Sequence, residues 1–334
     1  MNTGFEAIIG HEEVVRHLLT AIENDRVSHA YLFTGEKGSG KKMMADAFAM
    51  ALECRDRSGP EPCLMCPSCR KAADHNHPDI LYVTHEKPNL ISVDEVRAQL
   101  VGTAEIRPYE SRWKVYIMDE AEKMNPAAQN AILKTIEEPP SYVVILLLSE
   151  NPDILLPTIR SRVVTLPLLP VSDSEVEDFL KEEEHVPDYE ARILAAFARG
   201  NIGRAHLAAS DDEFSKRKEK TLALIRNIHE MDTAGLKEAV RLMKEDEEHI
   251  GEVMDLIRMW FRDVLYFKAA ADIDQLVFSG EIGTIRVQAK ASSYGDLQEI
   301  ISAADRTEDR LRANVNFELA MELLLFEMRE HCRA

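Results

Sequence analysis

Ala30-Tyr31-Leu32-Phe33-Thr34-Gly35-Glu36-Lys37-Gly38-Ser39-Gly40-Lys41-Lys42 is the stretch on which the reading of this chain turns. An apolar β-type run, AYLFT, leads into Gly35 to Lys41, which fits G-x-x-x-x-G-K, and a helical pattern continues to about Cys54. In that strand–loop–helix setting Gly35, Gly38 and Gly40 let the backbone curl around Ser39 until its N–H groups face phosphate oxygens. The N-terminus of the following helix adds positive potential, and Lys41 reaches the phosphates. The next residue departs from the pattern. Active phosphate loops place Ser or Thr there to hold the Mg²⁺ of the nucleotide, and this chain has Lys42. An ammonium has three donors and no lone pair, so it repels a cation. Two outcomes fit: weak ATP or ADP binding without productive Mg²⁺, or an empty site that keeps Lys41 and Lys42 from a lost activity. In both, hydrolysis by this chain is expected to be absent.

Further short β-type runs flank this segment: Ile80–Val83, Val115–Met118, Val143–Leu148 and Val163–Leu166. Unbroken apolar runs such as VVILLL suit strands buried on both faces, and their alternation with helical patterns predicts an α/β layer with a parallel sheet. The run Val115–Met118 ends in Asp119-Glu120, which in an active site would stand beside the metal and polarise an attacking water. A helix is expected after Asn125, its N-cap, with Pro126 at the first helical position and Pro139–Pro140 as the stop. Ser149, at the end of VVILLL, is a candidate sensor of a terminal phosphate. Arg162, in Leu156-Pro157-Thr158-Ile159-Arg160-Ser161-Arg162, belongs at the rim of the domain. There it is either an ordinary surface arginine or one able to stabilise transition-state charge in a neighbouring subunit.

Four of the five cysteines crowd into C-x8-C-x2-C-x2-C: Cys54, Cys63, Cys66 and Cys69. The short gaps let a tight turn aim successive thiolates at one ion, and four thiolates form a closed tetrahedral site for structural Zn²⁺. An iron–sulfur cluster also uses such gaps, but the next cysteine it needs is missing after Cys69; reduced, unliganded thiols are the third option. His75 and His77 could replace one ligand but read more readily as ordinary loop residues, and Cys332 reads as a lone thiol.

The chain has 334 residues, enough for two or three domains. With 59 acidic against 40 basic residues its formal charge is −19, a field that disfavours capture of DNA or an anionic membrane by this chain alone. The N-terminal residues carry neither a basic segment nor an apolar one of signal-peptide type, and no apolar run is long enough to span a bilayer. A cytoplasmic protein is expected. The texture predicts an α/β domain over 1–168 with the cysteine module at 54–69, a small helical domain over 169–210, and a helical C-terminal domain over 211–334. In the last helix Val315, Leu319 and Leu323, with Leu324 and Phe326, form an apolar stripe at helical spacing.

Taken together, the phosphate loop, the inserted four-cysteine module, VYIMDEAEKMNPAAQNAILKTIEEPP and LPTIRSR resemble bacterial clamp-loader subunits of the AAA+ superfamily. The likeness covers nearly the whole chain. It implies a RecA-like AAA+ module, a small helical lid and an all-α collar that packs with other subunits in a ring. Lys42 points to a subunit that does not hydrolyse ATP. Ser161-Arg162 falls on the family's Ser-Arg-Cys motif, whose arginine serves the ATP site of the adjacent motor subunit; Val163 replaces the cysteine. Arg204, in Gly200-Asn201-Ile202-Gly203-Arg204, falls near the lid's second sensor. The resemblance implies as partners the gamma/tau motor subunits, a delta subunit, the sliding clamp and, through the complex, primed DNA. The competing readings are an active gamma/tau-like motor and a zinc-dependent DNA-binding protein unrelated to ATP.

Overall fold

The computed structural model describes residues 4–332. The chain divides into two compact units. The first runs to Val171 and includes Asn201–Gly203; the second comprises Ser172–Gly200 and the chain from Arg204 onward.

The first unit is built on five parallel strands: β1 (Ala30–Thr34), β2 (Ile80–Val83), β3 (Lys114–Met118), β4 (Val143–Ser149) and β5 (Val164–Pro167), in the order β2-β3-β4-β1-β5. All seven residues of β4 and all five of β1 are buried. The alternation of side chains divides them between two cores. Tyr31, Phe33, Val144, Leu146 and Leu148 pack on one face with α1 (Glu12–Glu23) and α2 (Lys41–Glu53). Ala30, Leu32, Ile145 and Leu147 pack on the other, with Ile132 and Ile136 of the helix Pro126–Glu137 and Val96 and Leu100 of the helix over 93–104. Helices on both faces are what make continuous apolar runs soluble as strands.

The order places β1 between β4 and β5, with Thr34 level with Ser149 on one side and Pro167 on the other. The connection from β1 runs toward the β2 edge while that from β4 passes β1 to reach β5 on the other side, opening the crevice at the strands' carboxyl ends where such sheets bind ligands. The expected helix after Asn125 forms as read. The Asn125 side chain accepts from the Ala128 N–H, Pro126 opens the helix and Glu137 closes it.

The second unit is helical throughout its regular structure. Its last helix, Phe317–His331, corrects the expected stripe. Val315, Leu319 and Leu323 are 40%, 53% and 41% exposed, and the buried face is Phe317, Ala320, Met321, Leu324, Leu325 and Met328. The helix is apolar around more than half its circumference, so spacing alone left two faces open; packing against Tyr294–Arg312 and Thr233–Lys244 selected one. Among the described residues no helix is long and apolar enough to cross a membrane.

Because Asn125 satisfies an otherwise unpaired amide at the head of the helix that carries Glu137, Asn125→Ala is expected to cost about 1 kcal/mol, read as a shift of the urea unfolding midpoint with unchanged slope.

Candidate functional site

The phosphate loop is held by donors that converge on its carbonyls. Lys41, only 8% exposed, donates its ammonium to the carbonyls of Gly35 (2.7 Å) and Glu36 (2.8 Å). The Asn201 amide donates to Lys37 O at 2.8 Å, the Gly203 N–H to Gly38 O at 3.0 Å, and Nε2 of His11 lies 3.2 Å from Ser39 O. Every carbonyl from Gly35 to Ser39 is therefore engaged. Gly38 and Gly40 take φ of 87° and 89°, a region closed to most side chains, and Gly40 caps α2. Gly203 is required for another reason: a Cβ there would lie 2.6 Å from Gly38 O and 2.7 Å from its Cα.

Burial lowers the Lys41 pKa, opposed by the charges of Glu150, Asp119, Glu122 and Glu36. Lys42 is exposed, its ammonium 5.9 Å from the centroid of the Tyr82 ring. Asp119 accepts the Glu120 N–H at 2.9 Å. Glu120, at φ 53°, pairs with Lys123 at 2.6 Å and with Nε2 of His85 at 3.2 Å; the hydrogen bond from Lys123, then those of His85, hold its carboxyl below the usual range despite some burial. Ser149 is fully buried, and neither its hydroxyl nor that of Ser39 has a hydrogen-bond partner among the described residues. Arg204 belongs to the second unit, where it donates to Asp255 at 2.5 Å and stacks 4.0 Å from the Phe197 ring centroid.

The cysteine cluster assembles where α2 ends. Cys54 follows that helix, Cys66 caps α3 (Pro67–Ala73), and Cys69 lies in α3's first turn. The four sulfurs lie within 4.8 Å of one another. Backbone amides are aimed at them: Cys63 N–H to Cys54 Sγ, Cys66 N–H to Cys63 Sγ, Cys69 N–H to Cys66 Sγ, at 3.3–3.4 Å. At Cys66 burial pushes the thiol up, but the amides of Cys69 and Arg55 and the neighbouring thiols outweigh it and bring it to about 6. Burial raises Cys54 and Cys69. Four convergent sulfurs with amide support can hold a metal ion. His77 is not among them: it is buried, with Nε2 3.0 Å from the Ser68 hydroxyl and Nδ1 accepting the Asp79 N–H.

Arg162 stands just beyond the short helix Pro157–Arg160, 41% exposed at its side chain. Its Nε is 3.0 Å from Glu137 Oε1, and its Nη1 donates to Thr158 O and the Ser161 hydroxyl. Sequence reasoning singled out neither Glu137 nor the loop contacts of His11, Asn201 and Gly203. The only hint of the latter was the glycine-bracketed Gly200–Gly203 segment.

A parallel sheet in this order, with a phosphate loop after β1 and helices on both faces, defines a phosphate-loop α/β class of module. Residues 10–172 match the family model described as DNA polymerase III, delta subunit, and residues 212–330 match its C-terminal counterpart. The DNA polymerase III subunit delta' of Bacillus subtilis is 31% identical, over 95% of this chain and 95% of its own length. The chain belongs to the DNA polymerase III delta-prime family of clamp-loader subunits. The Bacillus subtilis subunit tau is 24% identical over 92% of this chain, which spans 58% of that protein. A DNA polymerase III gamma subunit-related protein of Thermotoga maritima, solved by crystallography, aligns over 97% of this chain and 100% of its own, at 21% identity and a TM-score of 0.44.

The Gly203 contact yields a paired expectation. Gly203→Ala drives a Cβ into the Gly38 backbone and is expected to destabilise by about 1–3 kcal/mol. Gly251→Ala, in a helix with open space around the added carbon, is expected to be neutral or stabilising by up to about 1 kcal/mol. Denaturant unfolding of both variants measures the difference.

Proposed function

We propose that this chain is a stator of the clamp loader: it supports the ring, does not hydrolyse ATP, and lends Arg162 to the ATP site of a neighbouring motor subunit. The observation that carries the reading is the state of the phosphate loop. Lys42 stands where a hydroxyl would hold Mg²⁺, and the Lys41 ammonium is turned onto the loop's own carbonyls. A lone pair for the metal is missing at that position, and Glu120, which would polarise water, is bound to Lys123 and His85. Ser149 and Arg204 then stand at the family's sensor positions without a phosphate to report on.

In this reading residues 1–168 form the AAA+ module, 169–210 the lid and 211–334 the collar. The partners are gamma/tau motor subunits and the delta subunit, with the sliding clamp and primed DNA reached through the assembly in the cytoplasm. The metal is Zn²⁺, bound by Cys54, Cys63, Cys66 and Cys69. When present it supplies a closed structural cross-link, while the four cysteines and their amide donors set its geometry. The −19 charge fits a subunit that leaves phosphate neutralisation to others.

The alternative is a gamma/tau-like motor, favoured by the intact G-x-x-x-x-G-K and by Asp119-Glu120. ATP turnover by the purified chain with Mg²⁺, with and without primed DNA, separates the two. A flat baseline is expected, and turnover abolished by Lys41→Ala would establish the motor instead. In the assembled complex Arg162→Ala is expected to depress clamp- and DNA-stimulated turnover.

Elemental analysis of the purified chain is expected to find one zinc per chain. Cys66→Ser should lower that occupancy and the melting temperature together. Wild-type protein that carries iron, or no metal, would overturn the zinc assignment.

A further inference from the structure

We propose that Glu137 is a positioning residue for Arg162, fixing the guanidinium so that one nitrogen is presented to a neighbouring subunit's nucleotide. The proposal rests on the reading of Arg162 as an arginine that acts in trans. The guanidinium carries five N–H donors. Glu137 Oε1 forms an ion pair with Nε at 3.0 Å, while Nη1 donates to Thr158 O and the Ser161 hydroxyl at 3.0 and 3.2 Å. The Ser161 hydroxyl in turn donates to Thr158 O at 3.1 Å, so its own orientation is set. Nη2 makes no hydrogen bond among the described residues. Glu137 thus flanks the guanidinium at Nε and the Thr158–Ser161 pair flanks it at Nη1, and Nη2, between the two, is left for a ligand oxygen.

This pairing serves orientation more than stability. Glu137 and Arg162 are 45% and 41% exposed, and exposed ion pairs contribute little to stability. Glu137 is also the last residue of its helix, where the macrodipole disfavours a negative charge. Pro139 and Pro140 follow the C-cap Glu138 and fix where the helix stops, so the carboxylate's location is set by covalent structure and not by the pair. A carboxylate placed against its helix dipole and turned to an arginine on a separate segment is the arrangement that restricts a long, flexible side chain before it meets its target. Ser161 acquires a role in the same geometry, as an acceptor that orients Nη1, with no contact to substrate required of it.

The test uses the clamp loader assembled from this chain and its motor and delta subunits, with ATP turnover measured in the presence of sliding clamp and primed DNA. Glu137→Ala is expected to lower the stimulated kcat by a factor between about 3 and 100, the range in which small misplacements of a catalytic group act. The KM for ATP and the elution of the complex on gel filtration should not move. Glu137→Gln keeps an acceptor oxygen and should restore most of the rate, a rescue that a purely structural defect would not show. If Arg162→Ala depresses kcat while Glu137→Ala does not, the positioning proposal is overturned and the trans-acting arginine stands. If Arg162→Ala leaves kcat undiminished, both fall. Disassembly of the complex by Glu137→Ala would assign Glu137 to the interface and overturn the positioning role.

Discussion

The buried ammonium of Lys41, donating to Gly35 O and Glu36 O, is the interaction around which the first unit is arranged. A lysine taken this far from water costs several kcal/mol unless its donors are satisfied. Here the loop supplies two carbonyls, and carboxylates at Glu150, Asp119, Glu122 and Glu36 supply charge. The remaining carbonyls are met by His11, Asn201 and Gly203. A loop of positive-φ glycines is intrinsically mobile because those residues lose the most backbone entropy on ordering. Its fixed shape in this protein comes from that ring of donors.

The same donors fix the shape of the loop in which Lys41 turns to Gly35 O and Glu36 O. The backbone curl persists because the glycines and the sheet persist. The chemistry of hydrolysis needs more: a hydroxyl for Mg²⁺ and a free carboxylate for water. Lys42 removes the first, and the pairing of Glu120 with Lys123 and His85 occupies the second. At the rim of the same domain Arg162 is exposed and tethered. The exposed Arg162 and the paired Glu120 are the features on which the proposed stator role rests.

The cysteine cluster follows the same logic of local geometry. Successive amides point at successive sulfurs because the x2 gaps wind the chain in tight turns, and α3 begins on one of the ligands, Cys66. That pattern was legible as spacing. The exclusion of His77 was not, since it depends on Ser68 and the Asp79 amide meeting its two nitrogens in space.

By itself the sequence determined the strands, the phosphate loop, the Asn125–Pro126 helix start and the cysteine module. Each is encoded in contiguous residues: apolar runs, glycines at fixed offsets, a cap beside a proline, short cysteine gaps. The tertiary structure alone decided which face of Phe317–His331 is buried, because that helix offers two apolar faces and only its neighbours choose. It also decided that Asn201 meets the loop from 164 residues away and that Glu137 meets Arg162 across a strand and a turn. Hydrogen bonds and ion pairs of this kind join single polar residues, which leave no periodicity in the chain; only the folded sheet brings them within reach.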